Sequence, residues 1–273
     1  MPLVPVDDWT DPRLADYRNV PDPELLRERG VFVAESRLVV RTLLLNTRFT
    51  MRSLLVTEAA LESLRDLVDP GATLAPVFLA SKALMSRVVG FNVHRGCLAI
   101  GERPPARPLA GIIPAERDRC LVVALESIAN ADNVGGIFRN CMAFGVDAVL
   151  LSPGCADPLY RKSIRVSIGG SLAVPFATLP DWPFDLLRLR TEDFAIVALM
   201  PGRGAVEIGA FASSPLRRAR LVLLAGAEGG GLTDEVIAAA DVRVRIPMAC
   251  GADSLNVATA LGIALHRLSD RVG

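Results

Sequence analysis

Lysine and histidine are nearly missing from this chain of 273 residues. Of its thirty basic residues only Lys82 and Lys162 are lysines, so arginine carries almost all the positive charge. Histidine occurs at 94 and 266 only, which supplies neither a histidine-rich metal site nor a conventional Ser–His–Asp relay. The five cysteines (97, 120, 141, 155, 250) are odd in number and contain no C-x-x-C pair. That argues against a disulfide framework and a zinc site, and for a reducing compartment. A charge of one sign is also missing, with 30 basic residues against 30 acidic. Such a chain does not coat nucleic acid by charge alone, so contact with RNA or DNA needs local basic clusters. No stretch approaches the roughly 18 uninterrupted apolar residues of a membrane helix. The start, Met-Pro-Leu-Val-Pro-Val-Asp-Asp, lacks the organisation of a signal peptide. The expectation is a soluble, cytoplasmic protein.

What is present is apolar residues, 51% of the chain, with a mean hydropathy of +0.37, which excludes a disordered polypeptide. The length allows one or two domains. Prolines 104, 105, 108 and 114 mark a linker over residues 102–118. Before it, short apolar runs at 31–34, 54–57, 77–80 and 98–100 read as strands. Helical spacing covers 36–45, 58–67 and 81–88, with Ser81 as an N-cap. This predicts a small α/β domain over 1–101. Arg37, Arg41, Arg48 and Arg52 follow one another there with no acidic residue between them.

After the linker, apolar runs at 121–125, 148–151, 195–199, 221–225 and 242–246 alternate with helical patterns at 134–144, 158–167, 183–190, 233–240 and 254–269. Continuous rather than alternating apolar strands suit a parallel sheet covered on both faces. Ligands of open sheets bind at the carboxyl ends of strands, which points to the loops after 125, 225 and 246.

The first of these loops enters a helix carrying Asn133 and, six residues on, Arg139, which the spacing places on a shared side. The second, Gly226-Ala-Glu-Gly-Gly-Gly-Leu, has glycines that fit neither a dinucleotide fingerprint nor a P-loop. Glu228 in its middle would repel phosphate, so an uncharged or cationic ligand suits it better. A nicotinamide-dependent oxidoreductase is disfavoured on both counts. The third runs from Ile246 through Met248 to Ser254-Leu-Asn256. Asp253 or Ser254 could cap the last helix, which leaves Asn256 without a purpose.

Together the three segments resemble the motif set of the SpoU-type (TrmH-type) RNA ribose 2′-O-methyltransferases of the SPOUT class. Asn133 to Arg139 matches the first motif. Gly226, Glu228, Gly231 and Leu232 match the second; Ile246–Met248 and Ser254–Val257 match the third. The likeness spans about 119–270. Residues 31–37 and 91–96 more weakly resemble the small ribosomal-protein-like α/β module that often precedes this domain. Ala258-Thr259 depart from many relatives, which have Ser there.

The resemblance implies an open, mostly parallel α/β sheet with helices on both faces and a deep trefoil knot over 119–273. It implies a homodimer, S-adenosyl-L-methionine as cofactor, no metal, and structured RNA (rRNA or tRNA) as partner. Gly226, Ile246, Met248 and Leu255 would hold the cofactor. Asn133, Arg139, Glu228, Ser254 and Asn256 would form the catalytic pocket. A neutral guanidine is costly, which ranks Arg139 as a phosphate clamp that orients the hydroxyl before it ranks as a base. Arg37, Arg41, Arg48 and Arg52, with a second cluster of Arg161, Lys162 and Arg165, are the expected RNA contacts. An accessory N-terminal domain leans the substrate toward ribosomal RNA. The alternatives are tRNA and a non-catalytic RNA-binding or ribosome-assembly protein on the same scaffold.

Overall fold

The computed structural model describes residues 3–18, 21–68, 75–93, 95–114, 116–202, 204–217, 219–249 and 252–269; His94 and Cys250 lie outside these residues. In chain order the strands begin with β1 (Leu3–Pro5), β2 (Val31–Glu35), β3 (Met51–Val56), β4 (Val77–Leu79), β5 (Cys97–Glu102) and β6 (Cys120–Glu126). Next are β7 (Ala148–Leu151), β8 (Phe176–Thr178), β9 (Ala195–Leu199), β10 (Val206–Glu207), β11 (Arg220–Gly226) and β12 (Val242–Arg245). The helices begin with α1 (Asp22–Arg27), α2 (Arg37–Leu45), α3 (Glu58–Glu62), α4 (Lys82–Val89) and α5 (Ala131–Ala143). They continue with α6 (Arg161–Val166), α7 (Gly170–Ala173), α8 (Phe184–Leu187), α9 (Ile208–Ala212), α10 (Asp234–Ala239) and α11 (Val257–Leu268).

The chain forms two compact units. The first combines residues 1–105 with 159–173, and the second combines 106–158 with 174–273. In the first, a five-stranded mixed sheet has the order β1-β4-β3-β5-β2. Ser81 caps α4 as its position predicted, accepting from Leu84 N at 3.1 Å. Ser36 caps α2 with a φ of +89°, rare for a residue with a side chain. The segment 159–173, which sequence reasoning assigned to the second domain, is tied into the first unit by polar contacts. Asp22 accepts Arg161 N at 2.9 Å, and Asn46 and Arg48 donate to the carbonyl of Leu172. These partners are 124 to 139 residues away in sequence, beyond any local pattern.

In the second unit seven strands pair in parallel throughout, in the order β10-β12-β9-β11-β6-β7-β8. Val122, Ala124, Val222, Leu224 and Ile196 pack into one core face with Leu186, Leu189 and Val236. Ile112 and Ile113, within the expected linker, join that core, because two adjacent isoleucines bury more favourably than they extend. On the other face α5 and α11 meet closely. A Cβ on Gly136 would lie 3.0 Å from that of Ala258, and Asn140 Nδ2 donates to Ala258 O at 2.7 Å. The chain runs outward from β6 to β7 and β8, then returns to β9 on the far side of β11. That reversal is a topological switch point, where an open sheet leaves a crevice at its carboxyl edge.

Candidate functional site

The first loop leaves β6 at Glu126 and turns through Ser127, which has a φ of +54°. Asn130 caps α5 by accepting Asp132 N at 2.8 Å, so the helix starts three residues before the position predicted. Asn133 lies in its first turn and is 8% exposed, whereas Arg139 is exposed. The expectation of a shared side is corrected here. Six residues at about 100° each leave two side chains about 120° apart around the axis.

The second loop is built on glycine. A Cβ on Gly226 would stand 2.1 Å from Gly231 O, so no other residue fits without moving the backbone. Gly231 N closes the loop on Ala227 O at 2.9 Å, and Gly229 and Gly231 have φ of +88° and +67°. This turn holds Glu228 exposed at its tip.

In the third segment the last helix begins at Val257, and its cap is Asn256, not Asp253 or Ser254. Asn256 Oδ1 accepts the N–H groups of Ala258 at 3.0 Å and Thr259 at 3.3 Å. Its Nδ2 donates to Asn133 Oδ1 at 2.9 Å and to Glu228 Oε1 at 2.8 Å. One side chain therefore spends its acceptor on the helix end and its donors on the other two loops.

Around that junction lies a cavity of about 540 Å³ at the carboxyl ends of β9, β11 and β12. Gly226, Ile246, Met248 and Leu255 line it, as do Glu228, Ser254 and Asn256. Arg139 and Asn133 do not; Asn133 is joined to the rim through Asn256. Leu199, Met200 and Pro201 also form the wall, and the motif reading missed them. The signal available was the Met-Pro-Gly break straight after an apolar strand. Glu228 is the sole ionisable side chain among the described lining residues.

Several basic residues of the first unit hold carboxylates or carbonyls, and others are exposed. Arg41 holds Asp66 through two hydrogen bonds of 2.8 and 2.7 Å, and Arg52 stands 3.6 Å from Asp16. Arg48 Nη2 donates to the carbonyls of Leu172 and Ala173 at 2.5 and 2.6 Å. Arg37, Lys162 and Arg165 are exposed. Arg161 is half-buried, with Nε and Nη2 shielded from water and unpaired. Burial pushes its pKa down, opposed by the charges of Asp22 and Glu35. Among the described residues no group of three His, Cys, Asp or Glu stands close enough to hold a metal, and no helix is long and apolar enough to cross a membrane.

Parallel strands, a cavity at their carboxyl ends and three loops joined by one asparagine define a ligand-binding protein of the open α/β class. Its relatives narrow the class. The model of the SpoU rRNA Methylase family matches residues 120–266. A Mycobacterium bovis protein named as an uncharacterized tRNA/rRNA methyltransferase is 41% identical over 265 residues, 96% of this chain and 90% of its own length. The 23S rRNA (guanosine-2′-O-)-methyltransferase RlmB of Acinetobacter baylyi is 26% identical over 241 residues, 87% of this chain and 94% of its own. An AdoMet-bound rRNA methyltransferase from Sinorhizobium meliloti has a similar structure, with a TM-score of 0.82 at 26% identity over 99% of each chain. The chain belongs to the SpoU (TrmH-type) RNA methyltransferase family, whose methyl donor is S-adenosyl-L-methionine.

Proposed function

We propose that this protein methylates a ribose 2′-hydroxyl in ribosomal RNA, using S-adenosyl-L-methionine. The observation that carries the reading is the convergence of Asn133, Glu228 and Asn256 at the rim of one cavity. Its residues fit the cofactor. Apolar walls from Leu199, Ile246 and Leu255 suit a nucleoside, and one carboxylate with no basic residue among the described lining suits a sulfonium better than a pyrophosphate. Gly226, Ile246, Met248 and Leu255 would hold it. The bound cofactor supplies an electrophilic methyl group.

The chain's own part is alignment, the main source of rate for an in-line transfer. Asn256 holds the Glu228 carboxylate and the Asn133 amide in fixed positions, and Ser254 adds a hydroxyl at the same rim. Arg139 orients the incoming nucleotide by clamping phosphate, a role that keeps the guanidinium charged. The first unit docks RNA through Arg37, Lys162 and Arg165, which are exposed. The reading includes a homodimer and the trefoil knot of the family. Supporting the dimer, α5 and α11 leave Met142 and Ile263 exposed at 42% and 37%, and Arg139 is exposed on the same helix as Met142.

The test is incubation with methyl-labelled S-adenosyl-L-methionine and RNA from cells lacking this gene, followed by nucleoside mass spectrometry. A labelled 2′-O-methylnucleoside from ribosomal RNA is expected. Label on a base refutes the ribose assignment, and label confined to tRNA refutes the substrate.

A further inference from the structure

The glycine loop that walls the cavity is held at both ends by one residue, Glu126. Its backbone is the last rung of the β6–β11 ladder, in register with Gly226 where the loop begins. Its side chain, 4% exposed, reaches the residue where the loop ends. Oε2 accepts Thr233 N at 2.8 Å, and Oε1 accepts the Thr233 hydroxyl at 2.9 Å. Oε1 also accepts Trp182 Nε1 at 3.0 Å. Three donors thus converge on two oxygens, an arrangement that needs a group with acceptors alone. A glutamine in this place would turn its NH₂ toward one of those donors and leave it unpaired in a buried site.

Thr233 is also the N-cap of α10, and Leu232 before it is buried in the core. Between these anchors the loop carries Gly226 and Glu228 into the cavity wall, and Glu228 takes the hydrogen bond from Asn256. Glu126 itself does not line the cavity.

We infer that Glu126 is a positioning residue for methyl-donor binding, clamping the loop from 226 to 233 so that its backbone and Glu228 keep their places in the wall. The inference rests on the reading of this cavity as the S-adenosyl-L-methionine site.

The test uses the full chain carrying Trp9→Phe, which leaves Trp182 as the sole tryptophan and makes its emission a report on the clamp. S-adenosyl-L-methionine is titrated by calorimetry into this parent, into Glu126→Gln and into Thr233→Val. Glu126→Gln is expected to bind roughly tenfold more weakly, from one charged hydrogen-bond set lost. Its Trp182 emission shifts, and KM for the cofactor rises more than kcat falls. Thr233→Val, which keeps the N–H bond and loses the hydroxyl, is expected to weaken binding by a smaller factor. Where Glu126→Gln does not fold, as judged by circular dichroism, Thr233→Val decides alone. Variant affinities within twofold of the parent overturn the proposal. A parent that does not bind at all overturns the cofactor reading, a separately recognisable result that removes this proposal with it.

Discussion

Asn256 Nδ2 lies 2.9 Å from Asn133 Oδ1, joining side chains 123 residues apart while the same amide caps α11. The two jobs can be separated by mutation. Asn256→Ser keeps a capping oxygen but is too short to reach Asn133 and Glu228, whereas Asn256→Ala loses both. Thermal melts should show the Ala variant less stable by about 1 kcal/mol and the Ser variant nearer the wild type. Both should lose methyl transfer by roughly tenfold or more, as for a removed hydrogen bond to a charged group. A Ser variant with full turnover would detach the amide from the chemistry.

Glycine is required at position 226, where the second loop begins, and optional at position 230. Gly226→Ala places a methyl 2.1 Å from Gly231 O and should abolish cofactor binding, whereas a Cβ on Gly230 meets nothing within 4 Å. Gly230→Ala should therefore bind S-adenosyl-L-methionine within about twofold of wild type, well under a 1.4 kcal/mol change. Equal calorimetric losses in the two variants would contradict the geometry.

Arg139 stands exposed on α5, outside the cavity wall. Arg139→Ala should abolish methyl transfer while cofactor affinity stays within a few-fold, because no lining residue changes. Normal turnover in this variant removes Arg139 from the mechanism.

The arginines of the first unit should divide by their partners. Arg48→Ala leaves the carbonyl of Ala173 without its guanidinium and should cost about 2 kcal/mol of stability by denaturant titration. Arg37→Glu should leave stability unchanged, weaken RNA binding and lower the slope of log K against log salt by about one. An unchanged slope would take Arg37 out of the RNA interface.

Burial pushes the thiols of Cys97 and Cys120 up to about 12, and that of Cys141 up as well. Raised folded-state pKa values mean that the folded chain retains protons the unfolded chain releases. Their contribution is full below about pH 9 and is lost as pH rises toward 12. Denaturant midpoints should fall over that window. A thiol reagent at pH 8 should leave these three unmodified until the protein is unfolded.

Much of this was readable from residue patterns. Runs such as Ala148–Leu151 and Ala195–Leu199 are strands with the limits their apolar residues mark, since a sheet buried on both faces demands continuous apolar stretches. The three loops could be ranked because carboxyl-end loops and misfitting glycine spacing are local properties. Short elements such as β8 and β10 carried no such pattern; three and two residues are too few to show a period.

By itself the sequence determined the parallel α/β class, the three chemistry-bearing segments and the mismatch between Glu228 and a phosphate ligand. All of these depend on residues close together in the chain. Only the tertiary structure decided that β11 lies between β6 and β9, that Leu159–Ala173 belong with the first unit, and that Arg41 and Arg48 are engaged. It also decided what Asn256 and Glu126 do. Each of these results depends on a donor or acceptor brought from a distant part of the chain, and hydrogen-bond satisfaction across such distances leaves no period in the sequence.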